Sequence, residues 1–427
     1  MQNATLWRCL LGLERSVVED VEFDEDEQAL IAEVRPRKGA RRRCGRCRRP
    51  AGWYDHGEGR RRWRGLDLAT ITVWLEADAP RVQCPDHGVV VAHVPWARHG
   101  AGHTHAFDEQ VAWLATKCSK SAACELMRIA WRTVGSIITR VWADVEAVHD
   151  RFANLSRIGI DEISYKKGHR YLTVVVDHDT GRLVWAAPGR DKATLRRFFD
   201  ALEESGQVAG EDRCGAITHV SADGADWISD VVAERCGNAV RCADPFHIVK
   251  WATEALDEVR RDAWNTARGA VGRRKASRSR GTAKLLKNSR YALWKNPSNL
   301  TEKQQAKLDW IVKTDPGLHR AYLLKEGLRL IFQLPYEEAV AALSRWIGWA
   351  RRCRIPAFVT LQRRIVRHRD SILAAIEHGL SNGRIESVNT KVRLITRMAF
   401  GFATPDALIA LAMLNLGGHR PELPGRS

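Results

Sequence analysis

Apolar positions along this chain change period several times, and each change marks a different kind of element. Residues 17–34 (VVEDVEFDEDEQALIAEV) alternate apolar and acidic positions, so residues 1–34 predict a small β meander. Between residues 107 and 147 the period becomes helical, with Val111, Leu114 and Ala115, then Val134, Ile137, Ile138 and Val141, on common faces. A polar stretch splits this region into two or three short helices, which predicts a helix-turn-helix. Three β-rich runs follow (RIGIDEISY, HRYLTVVVD and RLVWAA), separated by short turns, and predict a three-stranded meander. A helix from about Lys192 to Glu204, the strand AITHVSAD, a helix through Val232 and the strand NAVRCAD complete the order βββαβαβ. That alternation implies parallel pairing. From Phe246 to about His378 the pattern is helical throughout, with a Ser/Arg/Lys-rich loop at GRRKASRSRGTAK. Two helices close the chain, IESVNTKVRLITRMAF and the mostly apolar DALIALAMLNL, and no internal repeat is present.

Composition narrows the function. With 427 residues and 44% hydrophobic content, the chain can build two or three domains with separate cores. A net charge of +17 favours a polyanionic partner, nucleic acid first, because guanidinium groups pair well with phosphates. A membrane partner is disfavoured, since no run of about 18 apolar residues appears. The N-terminal stretch lacks the basic region and cleavage site of a signal peptide, so the expected location is the cytoplasm. The ten cysteines are scattered apart from one cluster, which suits a reducing compartment and predicts no structural disulfides.

That cluster is chemically specific. Cys44 and Cys47, followed 37 residues later by Cys84 and His87, form two ligand pairs of the kind that closes a tetrahedral zinc site. All four positions are filled, so the zinc is structural, and it would supply the folding energy of a short polar region read as lacking a core. Arg41, Arg42, Arg43, Arg46, Arg48 and Arg49, with a second patch at Arg60, Arg61 and Arg62, would neutralise phosphates or form a solvated basic face.

Phosphoryl chemistry would fall to carboxylates. Asp161 follows the apolar residues Ile158 to Ile160, and its neighbour Glu162 must point to the other face of the strand. Asp223 ends AITHVSAD just before a helix, where open α/β sheets place functional groups, although such an Asp can also be a helix N-cap. If its strand docks beside the first strand of the meander, the two aspartates become neighbours. Two divalent cations would then offset their repulsion and permit in-line displacement at phosphorus. Glu386 begins a later helix, and Glu386, Asn389, Arg393 and Arg397 share one face, as metal and phosphate ligands or as an ordinary ion-paired surface. Asp244, in ADPFH, is a rival for Asp223 or a helper together with His247. Trp264, Trp294, Trp310, Trp346 and Trp349 could stack on an unpaired base or simply pack helices.

In this order the finger, the helix-turn-helix and the motifs GIDEIS, VSADGADW, ADPFHIVKW and NGRIESVNTKVRLITRMAFGF resemble bacterial insertion-sequence transposases of the ISL-three type. The resemblance implies a DDE enzyme with an RNase H-like core, in which Asp161, Asp223 and Glu386 are the three acidic residues holding two Mg²⁺ or Mn²⁺ ions. It implies a multidomain α/β protein with a β region and zinc finger in residues 1–98 and a helix-turn-helix in 99–150. The catalytic core would run from 151 to 245, an all-α insertion from 246 to 378, and the closing helices of the core from 379 to 427. Finger and helix-turn-helix would read inverted repeats at the element ends. The recognition helix, near Arg128 to Arg140, would offer Arg132, Thr133 and Arg140, and its partners would be end and target double-stranded DNA. A homodimer or larger assembly would form the synaptic complex at the bacterial nucleoid. A repressor or domesticated transposase without catalysis, and an RNase H-like nuclease or resolvase, are the competing readings.

Overall fold

Alternating apolar and acidic residues do form strands near the N-terminus, but a helix precedes them. In the computed structural model, which describes residues 3–166, 168–269 and 276–425, Asn3–Leu10 is helix α1. The β meander expected from residue 1 is corrected here, because Trp7 and Leu11 sit one helical turn apart and pack together on the sheet that follows. The chain divides into two units, Met1–Asp150 with Leu394–Ser427, and Arg151–Arg393.

In the first unit β1 (Ser16–Asp24) and β2 (Ala29–Pro36) form a hairpin. The strands β3 (Gly52–Asp55), β4 (Arg60–Arg64), β5 (Thr72–Asp78), β6 (Arg81–Cys84) and β7 (Gly88–Val91) then divide between two sheets, ordered β1-β2-β5-β4 and β3-β6-β7. The segment between the two ligand pairs therefore lends β4 and β5 to the larger sheet. Leu30, Ala32, Val34, Trp63, Val73 and Leu75 bury themselves there as an apolar core. The region does not lack a core, contrary to expectation, because the strands preceding the finger complete it.

Helices α2 (His105–Lys117), α3 (Lys120–Met127) and α4 (Trp131–Val148) follow. Thr104 and Ser119 cap the first two by accepting the Phe107 and Ala122 N–H groups. Arg128 closes α3 in a left-handed conformation with φ 52°, which turns the chain into α4.

In the second unit β8 (Arg157–Lys166), β9 (Arg170–Asp177) and β10 (Leu183–Pro188) run antiparallel, and β11 (His219–Ala222) and β12 (Val240–Ala243) run parallel to β8. The sheet order is β10-β9-β8-β11-β12. Helices α5 (Lys192–Ala209) and α6 (Asp226–Arg235) place Leu195, Phe198, Leu202, Ile228 and Val231 in one core with Ile158, Ile160, Val220 and Ala222. A helical block follows: α7 (Pro245–Gly269), α8 (Ala276–Lys287), α9 (Arg290–Trp294), α10 (Glu302–Thr314), α11 (Pro316–Ile331), α12 (Tyr336–Arg352), α13 (Pro356–Arg367) and α14 (Arg369–Glu377). The basic loop expected at 272–284 is helix from Ala276 onward, and residues 272–275 lie outside the described residues. Of the tryptophans, Trp346 is buried and donates to the Leu324 carbonyl at 2.8 Å, and Trp264, Trp294 and Trp310 pack against the same core. Packing, rather than an open stacking face, is the role of these four in this fold, whereas Trp349 is exposed.

Helix α15 (Gly383–Met398) reaches the sheet face opposite α5 and α6. A Cβ on Gly159 of β8 would lie 2.1 Å from Ile385 Cδ1 and 2.8 Å from His178 Nε2, so only glycine leaves room for that approach. The last helix, α16 (Pro405–Leu416), was expected to close the catalytic core, but it packs on α2 and α4 of the first unit. It is apolar on nearly every side, and α4 accommodates it at Gly135, where a Cβ would already touch Ala407 at 3.6 Å.

Gly159→Ala should cost about 1–3 kcal/mol through overpacking. Ile385→Ala in the same chain should recover part of that loss. Urea denaturation of the single and double variants measures both, and additive losses would show that α15 does not depend on this slot.

Candidate active site and metal centre

Zinc geometry can be tested on donor atoms alone. Cys44, Cys47, Cys84 and His87 place their ligand atoms within 4.8 Å of one another, the single such group of three or more His, Cys, Asp or Glu among the described residues. Cys47 and Cys84 sulfurs are 3.7 Å apart, and His87 Nδ1 lies 3.7 Å from Cys44 Sγ and 3.6 Å from Cys84 Sγ. A tetrahedron with Zn–S near 2.3 Å and Zn–N near 2.0 Å has edges of roughly 3.5–3.8 Å, so the donor set fits zinc. Burial pushes the Cys44 thiol up, but the Cys47 and Arg46 backbone N–H groups and the neighbouring thiols leave it below its ordinary value.

The arginines around this site divide. Arg42, Arg46 and Arg48 are exposed, and their guanidinium groups have no protein partner among the described residues. Arg41 and Arg43 donate to backbone carbonyls, and Arg49 pairs with Asp86 at 3.1 Å. The second patch is not a free basic face. Arg60 pairs with Glu33 at 2.7 Å, Arg62 with Glu27 at 3.0 Å and Glu76 at 3.4 Å, and Arg61 donates to the Ala101 carbonyl. Glu33 lies on β2, Glu76 on β5 and Glu27 in the turn between β1 and β2, so acidic residues on and beside the sheet answer Arg60 and Arg62.

On α4, Arg132 is exposed and Thr133 half-buried. Arg140 is committed internally, with Nε and Nη2 on the fully buried Asp108 at 3.3 and 3.2 Å. Arg98 reaches the same carboxylate at 3.3 Å, and together they neutralise a buried charge that would otherwise be costly.

In the second unit, Ser221 pairs with Gly159 and Ala222 with Ala243. Asp161 lies two residues past Gly159 and Asp223 two past Ser221, so the two occupy one level, Asp161 within β8 and Asp223 just past the end of β11. Asp244 continues the row from β12. Asp161 is half-buried, and burial raises its carboxyl above the usual range, with Asp223 and Asp244 adding to the effect against Glu162 N–H and His247. Burial pushes Glu162 up to about 7 although Arg190 pairs with it at 2.9 Å, and Asp223 and Asp161 also raise it.

Helix α15 faces this row with Ile385, Val388, Asn389 and Val392 buried. Asn389 Nδ2 donates to Asp161 Oδ2 at 2.7 Å, and Asn389 is 2% exposed. It is thus a partner of Asp161 rather than an exposed DNA contact, because the face of α15 that meets the sheet is set by residues 385, 388, 389 and 392. Arg393 and Arg397 are exposed. Glu386 is also exposed, one turn before Asn389, and the structure does not gather it with Asp161 and Asp223 into a cluster of ligand atoms within 4.8 Å.

Sequence reading missed the anchor of α15. His178 Nε2 donates to Ser221 Oγ at 2.6 Å, Ser221 donates to Asn382 Oδ1 at 2.7 Å, and Asn382 N donates to Asp244 Oδ1 at 3.3 Å. Burial first, then Arg384 and Arg157, lowers His178 to about 4, so it is neutral and fit for this relay. Arg384 adds bonds to the His178 and Asp179 carbonyls. The buried acceptors Asn389 Oδ1 and Glu162 Oε1 have no hydrogen-bond partner among the described residues. Oxygen-rich, with these two acceptors unsatisfied, this site fits a hard divalent cation.

Comparisons with known proteins agree along the whole chain. The ISL3 family model described as a transposase matches residues 158–412, a helix-turn-helix domain of transposase family ISL3 matches 92–142, and the zinc-finger of transposase IS204/IS1001/IS1096/IS1165 matches 40–87. The transposase for insertion sequence element IS1557 of Mycobacterium tuberculosis is 64% identical over 443 residues, covering 100% of this chain and 98% of the relative. The transposase for insertion sequence element IS1001 of Bordetella parapertussis is 27% identical over 400 residues, covering 82% of this chain and 93% of the relative.

One zinc per chain should be found by metal analysis, and its removal should release β3, β6 and β7 while the larger sheet keeps its core. Hydrogen exchange would then rise over residues 44–55 and 81–91 and stay slow over β2 and β5. Purified protein without stoichiometric zinc would refute the site.

Proposed function

Because this chain belongs to the ISL3 family of insertion-sequence transposases, we propose that it cuts and joins DNA at the inverted-repeat ends of its element through Asp161, Asp223 and Glu386. The observation that carries this reading is the level placement of Asp161 in β8 and Asp223 at the end of the adjacent β11, under a helix whose Asn389 holds Asp161. The β10-β9-β8-β11-β12 order, three antiparallel strands continued by two parallel ones, supports an RNase H-like core interrupted after β12 by the helical block.

Asp161, Asp223 and Glu386 would hold two Mg²⁺ or Mn²⁺ ions, which when bound supply activation of an attacking oxygen and stabilisation of a leaving one. The chain's own residues prepare that site. Asn389 and the Glu162 N–H fix the two oxygens of Asp161, and the Ala225 N–H fixes Asp223 Oδ1 at 3.0 Å. Arg241, half-buried and lowered to about 10 by desolvation, donates to the Asp223 carbonyl at 2.7 Å and steadies the strand end. Glu386 stands one turn before Asn389 on the same helix. The same carboxylates would serve water at the first cut and the freed 3′ hydroxyl at strand transfer.

Finger and helix-turn-helix would carry end recognition, with Arg42, Arg46, Arg48, Arg132 and Thr133 presented to DNA. Arg393 and Arg397 would add phosphate contacts. Two or more copies would pair the ends, acting on chromosomal DNA in the cytoplasm. No helix among the described residues is long and apolar enough to cross a membrane.

Asp161→Asn, Asp223→Asn or Glu386→Gln should each abolish cleavage and joining while end binding without metal persists, and Asp244→Asn should keep residual activity. A plasmid excision and joining assay beside a gel-shift assay reads both. Cleavage at the wild-type rate by Asp161→Asn would leave the chain a DNA-binding protein without this chemistry.

End binding should also weaken with salt, the logarithmic slope being about −0.9 per phosphate neutralised. Arg46→Ala should make that slope shallower by about one phosphate, whereas Arg62→Ala should leave it unchanged. Equal effects of the two substitutions would contradict the division of the arginines.

A further inference from the structure

Asp244 and His247 stand beside the proposed carboxylates without a part in the chemistry above. Resting on that reading of the site, we propose that His247 is a further catalytic residue, a general base whose Nε2 takes the proton of the attacking oxygen, and that Asp244 is its positioning residue.

The Asp244 carboxylate is 2% exposed and fully occupied by its own chain. Oδ2 accepts from His247 Nδ1 at 2.6 Å, and Oδ1 accepts from the backbone N–H groups of Phe246 and Asn382, each at 3.3 Å. A carboxylate saturated in this way orients a neighbour and is poorly placed to ligate a metal, which removes Asp244 as a rival to Asp223. An ionised Asp can only accept, so the His247 proton sits on Nδ1 and the neutral ring carries its lone pair on Nε2. Among the described residues Nε2 has no protein partner, and the side chain is 23% exposed.

Register brings His247 to the end of the row. Ala222 pairs with Ala243, so Asp223 and Asp244 share a level, and α7 leaves β12 at once, with His247 in its first turn. The ring lies close enough to Asp161, Asp223 and Glu162 for its charge to bear on each. The Asp244 bond, with Asp223 and Asp161 behind it, raises the His247 basicity against its partial burial, which suits a proton acceptor.

Each step balances. The O–H bond of water, or of the freed 3′ hydroxyl, breaks with its proton passing to Nε2, and the oxygen forms a bond to phosphorus. The P–O3′ bond breaks with its electron pair on the leaving 3′ oxygen, which takes a proton from solvent.

The test uses full-length protein, element-end DNA at saturating protein, and single-turnover cleavage. His247→Ala and His247→Gln should each lose about 10²–10⁴-fold in rate, the usual contribution of a general base, with end binding unchanged. Added imidazole should restore much of the rate to His247→Ala and none to Asp161→Asn. Since Asp244 acts through His247, Asp244→Asn combined with His247→Ala should be no slower than His247→Ala alone. If Asp161→Asn is dead and either His247 variant cuts within threefold of wild type, the inference is wrong and the carboxylate reading stands. A slow His247→Ala that imidazole leaves slow would make His247 structural and likewise overturn the inference. An active Asp161→Asn would instead remove the reading on which the inference rests.

Discussion

Three aspartates at one level on adjacent strands repel one another, and much of the second unit is arranged around that repulsion. The parallel register of β8, β11 and β12 creates the row, since residues at equal distance from paired positions emerge on the same face. Each carboxylate is then supported differently: Asp161 by an amide from α15, Asp223 by a backbone N–H, and Asp244 by His247 and two backbone N–H groups. A charge-assisted hydrogen bond contributes on the order of 1.5–3 kcal/mol, so these partners can hold the row together but leave little margin if one is lost. Asp244, the most enclosed of the three, receives the most donors. Asp161 and Asp223 keep more of their coordination open, as carboxylates shared with a cation require.

Position along α15 follows from the same constraint. Asn389 can reach Asp161 only because Ile385, one turn earlier, enters the space above Gly159. The relay from His178 through Ser221 to Asn382 fixes the entrance to the helix, and Arg384 ties it to the end of β9. Those made by Asn382, Arg384 and Asn389 to the sheet strands and their ends join residues about 160 to 230 positions apart in sequence. The helical block between β12 and α15 can therefore be large without loosening the site, provided that its two ends return to the sheet, which Asp244 and Asn382 ensure by bonding to each other.

Much of this was legible in the sequence, and the parts that were not share a cause. Period-two and period-3.6 patterns located β8 to β12, the helix-turn-helix and the helical block, because burial on one face imposes those periods locally. Cys44, Cys47, Cys84 and His87 were legible because metal geometry demands short paired spacings. Partnership across the chain was not. Arg60 and Arg62 look like a phosphate-binding patch until Glu27, Glu33 and Glu76 are seen opposite them, and Arg140 looks like a groove contact until Asp108 is seen buried beneath it. Asn389 sits in a run of polar and basic residues that would suit a DNA-facing helix, and only the tertiary fold turns it inward. The apolar sequence of α16 announced burial without saying against what, and the answer was α2 and α4 rather than the five-stranded sheet.

Net charge is accordingly a poor guide to where DNA lies on this chain. Of the nine arginines in the two N-terminal patches, Arg60 and Arg62 are paired with glutamates on and beside the sheet, Arg49 with Asp86, and Arg41, Arg43 and Arg61 with backbone carbonyls. Exposed ion pairs contribute little to stability, generally under about 1 kcal/mol, so their effect here is on electrostatic placement rather than on folding. By occupying the second patch, these glutamates leave the exposed guanidinium groups of Arg42, Arg46 and Arg48 beside the zinc ligands. Two of these flank Cys47 directly, so the turn that closes the metal site also sets the spacing of the free cations. A zinc ion held by these ligands would thus do more than fold a small sheet: it would fix the positions of the unpaired arginines.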